Sequence, residues 1–217
     1  MLYSTIQSAI CRRSLLALLY SSWIMFTIQL SQPQTLQLPI ANCNPLHLVT
    51  DTGQAVEIST HRPSLFITEN LERVLPGWNV PVLWVVIVLQ QARYELVTTT
   101  PQVEQEKEWL REQFMRFGFD VVFNLRDRGF LSNLIDPRTG YPLLSPPGEI
   151  SHDDTAAVKA LLGLPVIRNR CRVLKHPSWG TAVYPSTLLT SAPPKVIKPV
   201  LRKVGLQHCW KELKADL

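Results

Sequence analysis

The stretch Arg168–Thr181 reads R-N-R-C-R-V-L-K-H-P-S-W-G-T. We predict a β-strand from Arg170 to Leu174, because this short run is bounded by residues that interrupt strands. The strand is expected to break at Pro177, which has no backbone N–H, and a new one to start after Gly180. Since side chains alternate across a strand, one face is predicted to carry Cys171, Val173 and Lys175, and the other Arg170, Arg172 and Leu174.

Cys171 has the most reactive side chain of this stretch. Positive charge nearby favours the thiolate, and only the thiolate is a nucleophile or a metal ligand. Alternatively, Cys171 is a small buried hydrophobic residue, as most free cysteines are, and apolar burial then raises the pKa of its thiol. The local sequence leaves both interpretations open. The positive neighbours are Arg170, Arg172, Lys175 and His176.

The composition is that of a globular, mildly basic protein. A length of 217 residues, 46% hydrophobic and 18% charged, predicts one folded domain with flanking segments. The net charge is +5, but lysines and arginines are scattered, so we predict no nucleic-acid partner. The four cysteines contain no C-x-x-C pair and indicate neither a zinc site nor a disulfide scaffold. This favours a reducing compartment, the cytoplasm.

Residues 1–40 differ from the rest, since no acidic residue precedes Asp51. The run Leu15–Leu30 is marginal for a membrane span, which needs about 20 apolar residues. It offers a poor secretory cleavage site, whereas a positive, acid-free segment also describes a mitochondrial transit peptide. A gene start at Met25 is a further alternative. We therefore predict a disordered, targeting or mis-annotated segment at 1–40, a folded domain at 41–205 and a tail at 206–217.

Hydrophobic patterns from residue 46 onwards predict an α+β domain. Short strands at Leu46–Val49 and Ala55–Ser59 flank a turn signal. The apolar run Val80–Leu89 lacks alternation, which is typical of a central strand buried on both faces. A strand at residues 182–189 and a last helix at Pro194–Val204 complete this part of the prediction.

The longest helix is predicted to begin with the cap residue Thr100 and Pro101, and to end near Gly129. Its charged residues, among them Glu106, are expected to face solvent. A shorter helix begins at Ser151. The stripe expected to face the sheet is Leu110, Phe114, Phe117, Val121 and Leu125.

Two polar residues follow the long helix. Asp136 lies in a turn that contains Pro137 and Gly140, so we interpret it as a turn-former. His152 is predicted to lie exposed in the first turn of the shorter helix. The sequence has no dinucleotide, P-loop, nucleophile-elbow or zinc-protease motif. Missing motifs of these kinds favour a binding or escort role over an enzyme.

Three motifs together resemble a known family. They are L-R-D-R-G-F at 125–130, I-D-P-x-x-G at 135–140 and C-R-V-L-K-H-P-S-W-G-T at 171–181. In order and spacing they resemble the methylmalonic aciduria and homocystinuria type D family of vitamin B12 trafficking proteins. The resemblance covers about residues 55–195.

The resemblance implies a flavin-free, nitroreductase-like α+β fold with a mainly antiparallel sheet and packed helices. It also implies a non-catalytic escort that binds a cobalamin-processing (CblC-like) protein and directs cobalamin to methionine synthase or methylmalonyl-CoA mutase. The escort binds no cofactor alone, and ligates the cobalt of partner-held cobalamin through a cysteine thiolate. The resemblance implies that Cys171 occupies that position or lies one residue from it, since some relatives have two adjacent cysteines where this chain has Arg170-Cys171.

The resemblance implies a role for the positively charged residues around the cysteine. Our hypothesis is that Arg170, Arg172 and Lys175 keep Cys171 partly ionised. His176 and Trp179 complete the predicted cofactor-binding set. The commoner role for such residues is structural: His176 would form a hydrogen bond at the Pro177 bend, and Trp179 would pack beneath the loop.

Two alternatives differ in class from an escort. One is a flavin-dependent, nitroreductase-like oxidoreductase, and the other is an interaction module tethered to a membrane through Leu15–Leu30. If the protein is an escort, we expect it to have no membrane partner. A homodimer could form through exposed sheet edges.

Overall fold

The computed structural model describes residues 45–168 and 172–213. Cys171 and Arg170 lie outside these ranges, as do residues 1–40 with their apolar run. The strands are β1 Leu46–Val49, β2 Ala55–His61, β3 Trp84–Gln91, β4 Ser132–Leu134, β5 Val166–Arg168, β6 Arg172–Leu174, β7 Val183–Thr190 and β8 Lys211–Glu212. The helices are α1 Leu65–Glu69, α2 Leu71–Val74, α3 Pro101–Arg126, α4 Asp154–Leu162 and α5 Pro194–Gln207.

One six-stranded sheet forms the centre of the fold, in the order β4-β7-β3-β2-β1-β8. All of its neighbouring strands are antiparallel. A separate antiparallel hairpin consists of β5 and β6. The predicted α+β class with a mainly antiparallel sheet is therefore confirmed, whereas its nitroreductase-like character stays a prediction.

Strand β3 lies between β7 and β2 in the middle of the sheet, and both of its faces are buried. Trp84, Val86 and Val88 belong to the core beneath α3 and α5. Val85 and Ile87 belong to a second core on the opposite face, beneath α2 and α4. Such a strand reads as a continuous apolar run, which is why Val80–Leu89 showed no alternation, although the strand begins only at Trp84.

Helix α3 covers one face of the sheet with the predicted stripe. Thr100 caps it by accepting a hydrogen bond from the Val103 N–H, and its five stripe residues are at most 1% exposed. The prediction that Glu106 faces solvent is wrong. Its carboxylate is buried and accepts hydrogen bonds from the Arg93 backbone N–H at 2.8 Å and from Gln54 Nε2 at 3.3 Å. These two donors compensate for the loss of water.

Helix α4 and the β5–β6 hairpin contribute to the opposite layer. Of the predicted strand Arg170–Leu174, the structure describes Arg172–Leu174, which form β6, whereas Arg170 and Cys171 lie outside the described residues. The two apolar residues of β6 are both buried, Leu174 in the core beneath α4 and Val173 in a small cluster with Leu96 and Leu110. Val173 and Leu174 thus lie on opposite faces of β6, as the alternation predicts, and both faces are covered at these positions.

Within residues 206–213, strand β8 and Trp210 pack against the rest of the domain. β8 pairs with β1, and Trp210 is buried with its ring stacked 4.6 Å from that of Phe117. Among residues 45–168 and 172–213, no helix is both long and apolar enough to cross a membrane.

Candidate functional site

The β5–β6 hairpin presents two arginines directly opposite each other. Arg168 and Arg172 are register partners, and residues 169–171 connect them in sequence. Cys171, the last residue of this connection, therefore directly precedes Arg172, which is exposed. Val173 and Leu174 hold the hairpin to the protein, since both are buried. The hairpin thus has two arginines opposite each other near its end and buried apolar residues where it packs against the protein.

Arg172 is held by an ion pair with Asp153. Asp153 is the N-cap of α4, where its carboxylate also accepts a hydrogen bond from the Ala156 N–H at 3.0 Å. The ion pair ties the hairpin to the start of α4. It also offsets part of the positive charge that we expected Arg172 to provide to Cys171. Lys175, by contrast, is exposed and forms no salt bridge within the described residues.

His176 fastens the loop that follows the hairpin. Its Nδ1 accepts hydrogen bonds from the backbone N–H groups of Ser178 at 3.2 Å and Trp179 at 3.3 Å. Nδ1 must therefore be unprotonated, and the proton lies on Nε2, which donates to Glu57 Oε2 at 3.2 Å. The Trp179 ring stacks on the imidazole with a centroid distance of 4.0 Å. Both ring nitrogens of His176 thus have partners within the protein.

We expect His176→Gln to lower the free energy of unfolding by about 1–3 kcal/mol, because two partly buried backbone N–H groups lose their acceptor and the ring stacking with Trp179 is lost. Urea unfolding of the purified variant measures this. His208→Gln is the matched control, since its ion pair with Asp120 at 2.8 Å is partly exposed and should be worth less than about 1 kcal/mol. Equal losses in the two variants would show that His176 does not fasten the loop.

A cavity of about 360 Å³ opens beside Arg172. It lies between the start of α4, strands β6 and β7, and the turn that follows Asp136. Its wall is mixed in charge, and it includes Lys107, Arg138, Thr139, His152, Asp154 and Tyr184. Burial raises the pKa of Tyr184, so this hydroxyl stays protonated.

His152 is buried, so the prediction that it is exposed is wrong. Helix α4 begins at Asp154, three residues after the predicted start at Ser151, and His152 precedes its N-cap Asp153. The backbone N–H of His152 donates to the Gly140 carbonyl at 2.8 Å, which turns the side chain inwards. Gly140 has φ +73°, and an added Cβ would collide with the His152 carbonyl. Burial lowers the pKa of His152 to about 4, although the charge of Asp153 opposes this.

Asp154 lies beside His152 and is also buried. Burial raises the pKa of its carboxyl to about 7, against a hydrogen bond from Thr187 that lowers it. Asp154 Oδ1 is 3.5 Å from His152 Nε2, and the same nitrogen is 3.2 Å from Thr187 Oγ1. We call His152, Asp154 and Thr187 the buried polar cluster.

The buried polar cluster does not have the geometry of a catalytic triad. A triad needs the hydroxyl at one imidazole nitrogen and the carboxylate at the other. Here both groups face Nε2, and Nδ1 has no partner among the described residues. Thr187 is also completely buried. Within residues 45–168 and 172–213, no group of three His, Cys, Asp or Glu side chains could hold a metal ion.

The sequence analysis missed Asp153, Asp154 and Thr187. One signal for Asp153 was available, because an aspartate before a helical pattern is a preferred N-cap. Nothing local distinguished Asp154, which is buried by β7 from a distant part of the chain. Thr187 lies inside strand β7, where threonine is a common residue and its hydroxyl gives no signal in sequence.

Comparison with known proteins places these features in a family. The sequence model of the family "Methylmalonic aciduria and homocystinuria type D protein" matches residues 36–203. The curated relative "Cobalamin trafficking protein CblD" of Gallus gallus is 25% identical over 151 residues, which are 69% of this chain and 50% of the relative. The Homo sapiens protein of the same name is 26% identical over 59% of this chain and 44% of its own. The chain spans about half the length of the curated relatives it matches. Since the family model covers well over half of its residues, the chain belongs to the methylmalonic aciduria and homocystinuria type D protein family.

Proposed function

We propose that this protein takes part in cobalamin trafficking, with the thiolate of Cys171 as a ligand to the cobalt of cobalamin held by a protein partner. The observation that carries the proposal is the family match over residues 36–203, which includes the motif Cys171–Thr181. Relatives matched over much of this chain are named cobalamin trafficking proteins. The flavin-dependent alternative has no support in those names.

The chemistry is a ligand association at cobalt. The thiol proton passes to solvent, and the thiolate sulfur donates an electron pair to the metal, without a change in oxidation state. Thiolates are soft, polarisable ligands suited to such a centre. Arg168 and Arg172 lie directly opposite each other at the ends of the strands that residues 169–171 connect. Positive charge in these positions favours the thiolate form of Cys171, with Arg170 and Lys175 as further sources.

The protein acts as an escort and not as an enzyme in this proposal. It binds cobalamin only in complex with a cobalamin-processing protein, and passes the cofactor towards methionine synthase or methylmalonyl-CoA mutase. The trafficking role belongs to the domain predicted at residues 41–205, which β8 and Trp210 extend beyond residue 205, and the cytoplasm is the compartment. His176 and Trp179 support cobalamin binding by fixing the loop after the hairpin, through the hydrogen bonds and ring stacking described above.

A visible absorption titration tests the proposal. The full chain is added to cob(II)alamin bound to a cobalamin-processing protein, and we expect a new thiolate–cobalt band. Cys171→Ser should abolish this band while leaving the circular dichroism spectrum unchanged. Cys209→Ser is the matched control, since Cys209 is an exposed free cysteine outside the motif, and it should keep the band.

Two results would contradict the proposal. A band of full intensity in Cys171→Ser would assign the ligand to another group. A band lost equally in Cys209→Ser and Cys171→Ser would show a general thiol effect. A purified protein with a flavin spectrum would instead support the oxidoreductase alternative.

A further inference from the structure

A groove of about 370 Å³ lies between α4 and the β5–β6 hairpin. We call it the α4–β5 groove. It is distinct from the cavity beside the buried polar cluster, although Arg172 and Thr155 border both. Its lining is Thr155, Ala156, Lys159, Ala160, Val166, Arg168 and Arg172.

The groove exists because the outward face of α4 has small side chains. Ala156, Lys159 and Ala160 are exposed and lie on one helical face at spacings of three and four. The two alanines leave space beside the helix. Val166 and Arg168 form the other wall, because side chains two apart lie on the same face of a strand. The groove thus combines a partly apolar floor with a charged rim.

The rim is positively charged and contains no acidic side chain. Arg168 lies directly opposite Arg172, and like charges in such a pair repel. Arg172 has Asp153 as its partner, whereas Arg168 and Lys159 form no salt bridge with any residue in the described parts of the chain. A negatively charged ligand in the groove would relieve this repulsion.

β5 also has an open edge. Among the described strands it is hydrogen-bonded only to β6. Its other edge therefore leaves backbone N–H and C=O groups available to an additional strand, which is how extended peptides bind exposed sheet edges. Ile167, 39% exposed, provides an apolar contact on the face of β5 opposite Arg168. β5 thus offers backbone pairing at its open edge, positive charge on the face that lines the groove and an apolar contact on its opposite face.

We propose that the α4–β5 groove binds an extended acidic segment of a protein partner, which adds to β5 as a strand and places carboxylates beside Lys159 and Arg168. This identification of the partner's chemistry rests on the proposed function, in which a protein partner delivers cobalamin to the chain next to Arg172. A segment of alternating acidic and apolar residues fits this site, because its acidic face meets Lys159 and Arg168 in the groove and its apolar face meets Ile167 on the opposite face of β5. An isolated small anion would use the charge but not the open edge or the apolar floor.

Fluorescence anisotropy with a labelled octapeptide of alternating valine and glutamate tests this proposal on the full chain at low salt. We expect saturable binding that weakens as salt is added. The double variant Lys159→Glu/Arg168→Glu should bind at least about tenfold more weakly, because the rim then repels the peptide. Lys195→Glu/Lys198→Glu on α5 changes the net charge equally on the opposite face of the sheet, and should keep affinity within about twofold. An octapeptide of alternating valine and lysine should not bind.

If the two double variants bound the peptide with equal affinity, the proposal would be overturned, because binding would then depend only on the net charge of the protein. Displacement of the peptide by millimolar inorganic phosphate at constant ionic strength would also overturn it, in favour of a small-anion site. The peptide assay needs neither cobalamin nor Cys171. Normal peptide binding without a Cys171-dependent cobalt band would therefore contradict the proposed function alone, and the reverse combination would contradict the groove alone.

Discussion

Arg111→Met is expected to lower the free energy of unfolding by about 3–5 kcal/mol, because it leaves a buried carboxylate without its partner. Asp136 is 4% exposed. The Arg111 guanidinium donates to both of its oxygens, from Nε at 2.6 Å and from Nη2 at 3.1 Å. Burial alone would raise the pKa of Asp136, but the hydrogen bond from Arg111 and those from the Arg138 N–H and Thr139 hydroxyl outweigh it. The pKa of this carboxyl is therefore lowered.

The sign of the pH dependence follows from that shift. A carboxyl with a lowered pKa contributes stability above its unfolded pKa, and the contribution is lost as pH falls through the folded pKa. Urea unfolding at pH 7 should therefore show the full loss in Arg111→Met. Arg116→Met is the matched control, since its pair with Glu112 at 3.4 Å is exposed and contributes less than about 1 kcal/mol. Arg111→Met/Asp136→Asn should recover part of the stability, and no recovery would argue against the buried charge as the cause.

The buried polar cluster predicts a second large effect, a pH dependence of stability that appears only when one of its two titratable residues is replaced. Between about pH 4 and 6.5 the folded cluster holds one proton on Asp154, whose pKa is raised to about 7, and none on His152, whose pKa is lowered to about 4. The unfolded chain also holds one proton there, but on the histidine. Because the two states bind equal numbers of protons, the pair contributes almost no pH dependence to stability.

Removing one member of the pair should reveal the other. In Asp154→Asn only His152 remains, and the unfolded state binds the extra proton, so stability should rise by about 3 kcal/mol between pH 4 and 6.5. In His152→Gln only Asp154 remains, and the folded state keeps the extra proton. Stability should then fall, by about 4 kcal/mol between pH 4 and 7.

Urea midpoints measured at half-unit pH intervals test both slopes. Relative to the wild type, the two variants must change slope in opposite directions, since other groups such as His61, whose pKa burial lowers, contribute equally to all three proteins. Changes of slope with the same sign, or no change from the wild type, would contradict the assigned protonation states.

The sequence predicted those parts of the fold where local pattern and burial agree. The α3 stripe follows helical spacing, so Phe114 and Phe117 could be assigned to the core without tertiary information. β3 is covered on both faces and shows an unbroken apolar run. Asp136 could be recognised as a turn-former, since its carboxylate accepts a hydrogen bond from the Arg138 N–H two residues on.

The candidate site was less predictable because distant residues decide it. His152 and Glu106 were expected at the surface, and both are buried with partners from other elements, Thr187 in one case and Gln54 and Arg93 in the other. The Arg168–Arg172 pair required the hairpin register, which depends on β5 as well as on the motif strand. Short strands of this kind carry too few residues for a reliable periodicity.

Cobalt K-edge X-ray absorption tests the central claim, Cys171 as a cobalt ligand, most directly. The sample is the full chain with a cobalamin-processing protein and cob(II)alamin. We predict scattering from a sulfur atom bound to cobalt in the wild type and in Cys209→Ser, and its loss in Cys171→Ser. A cobalt site with only nitrogen, oxygen and carbon neighbours in the wild-type complex would contradict the claim.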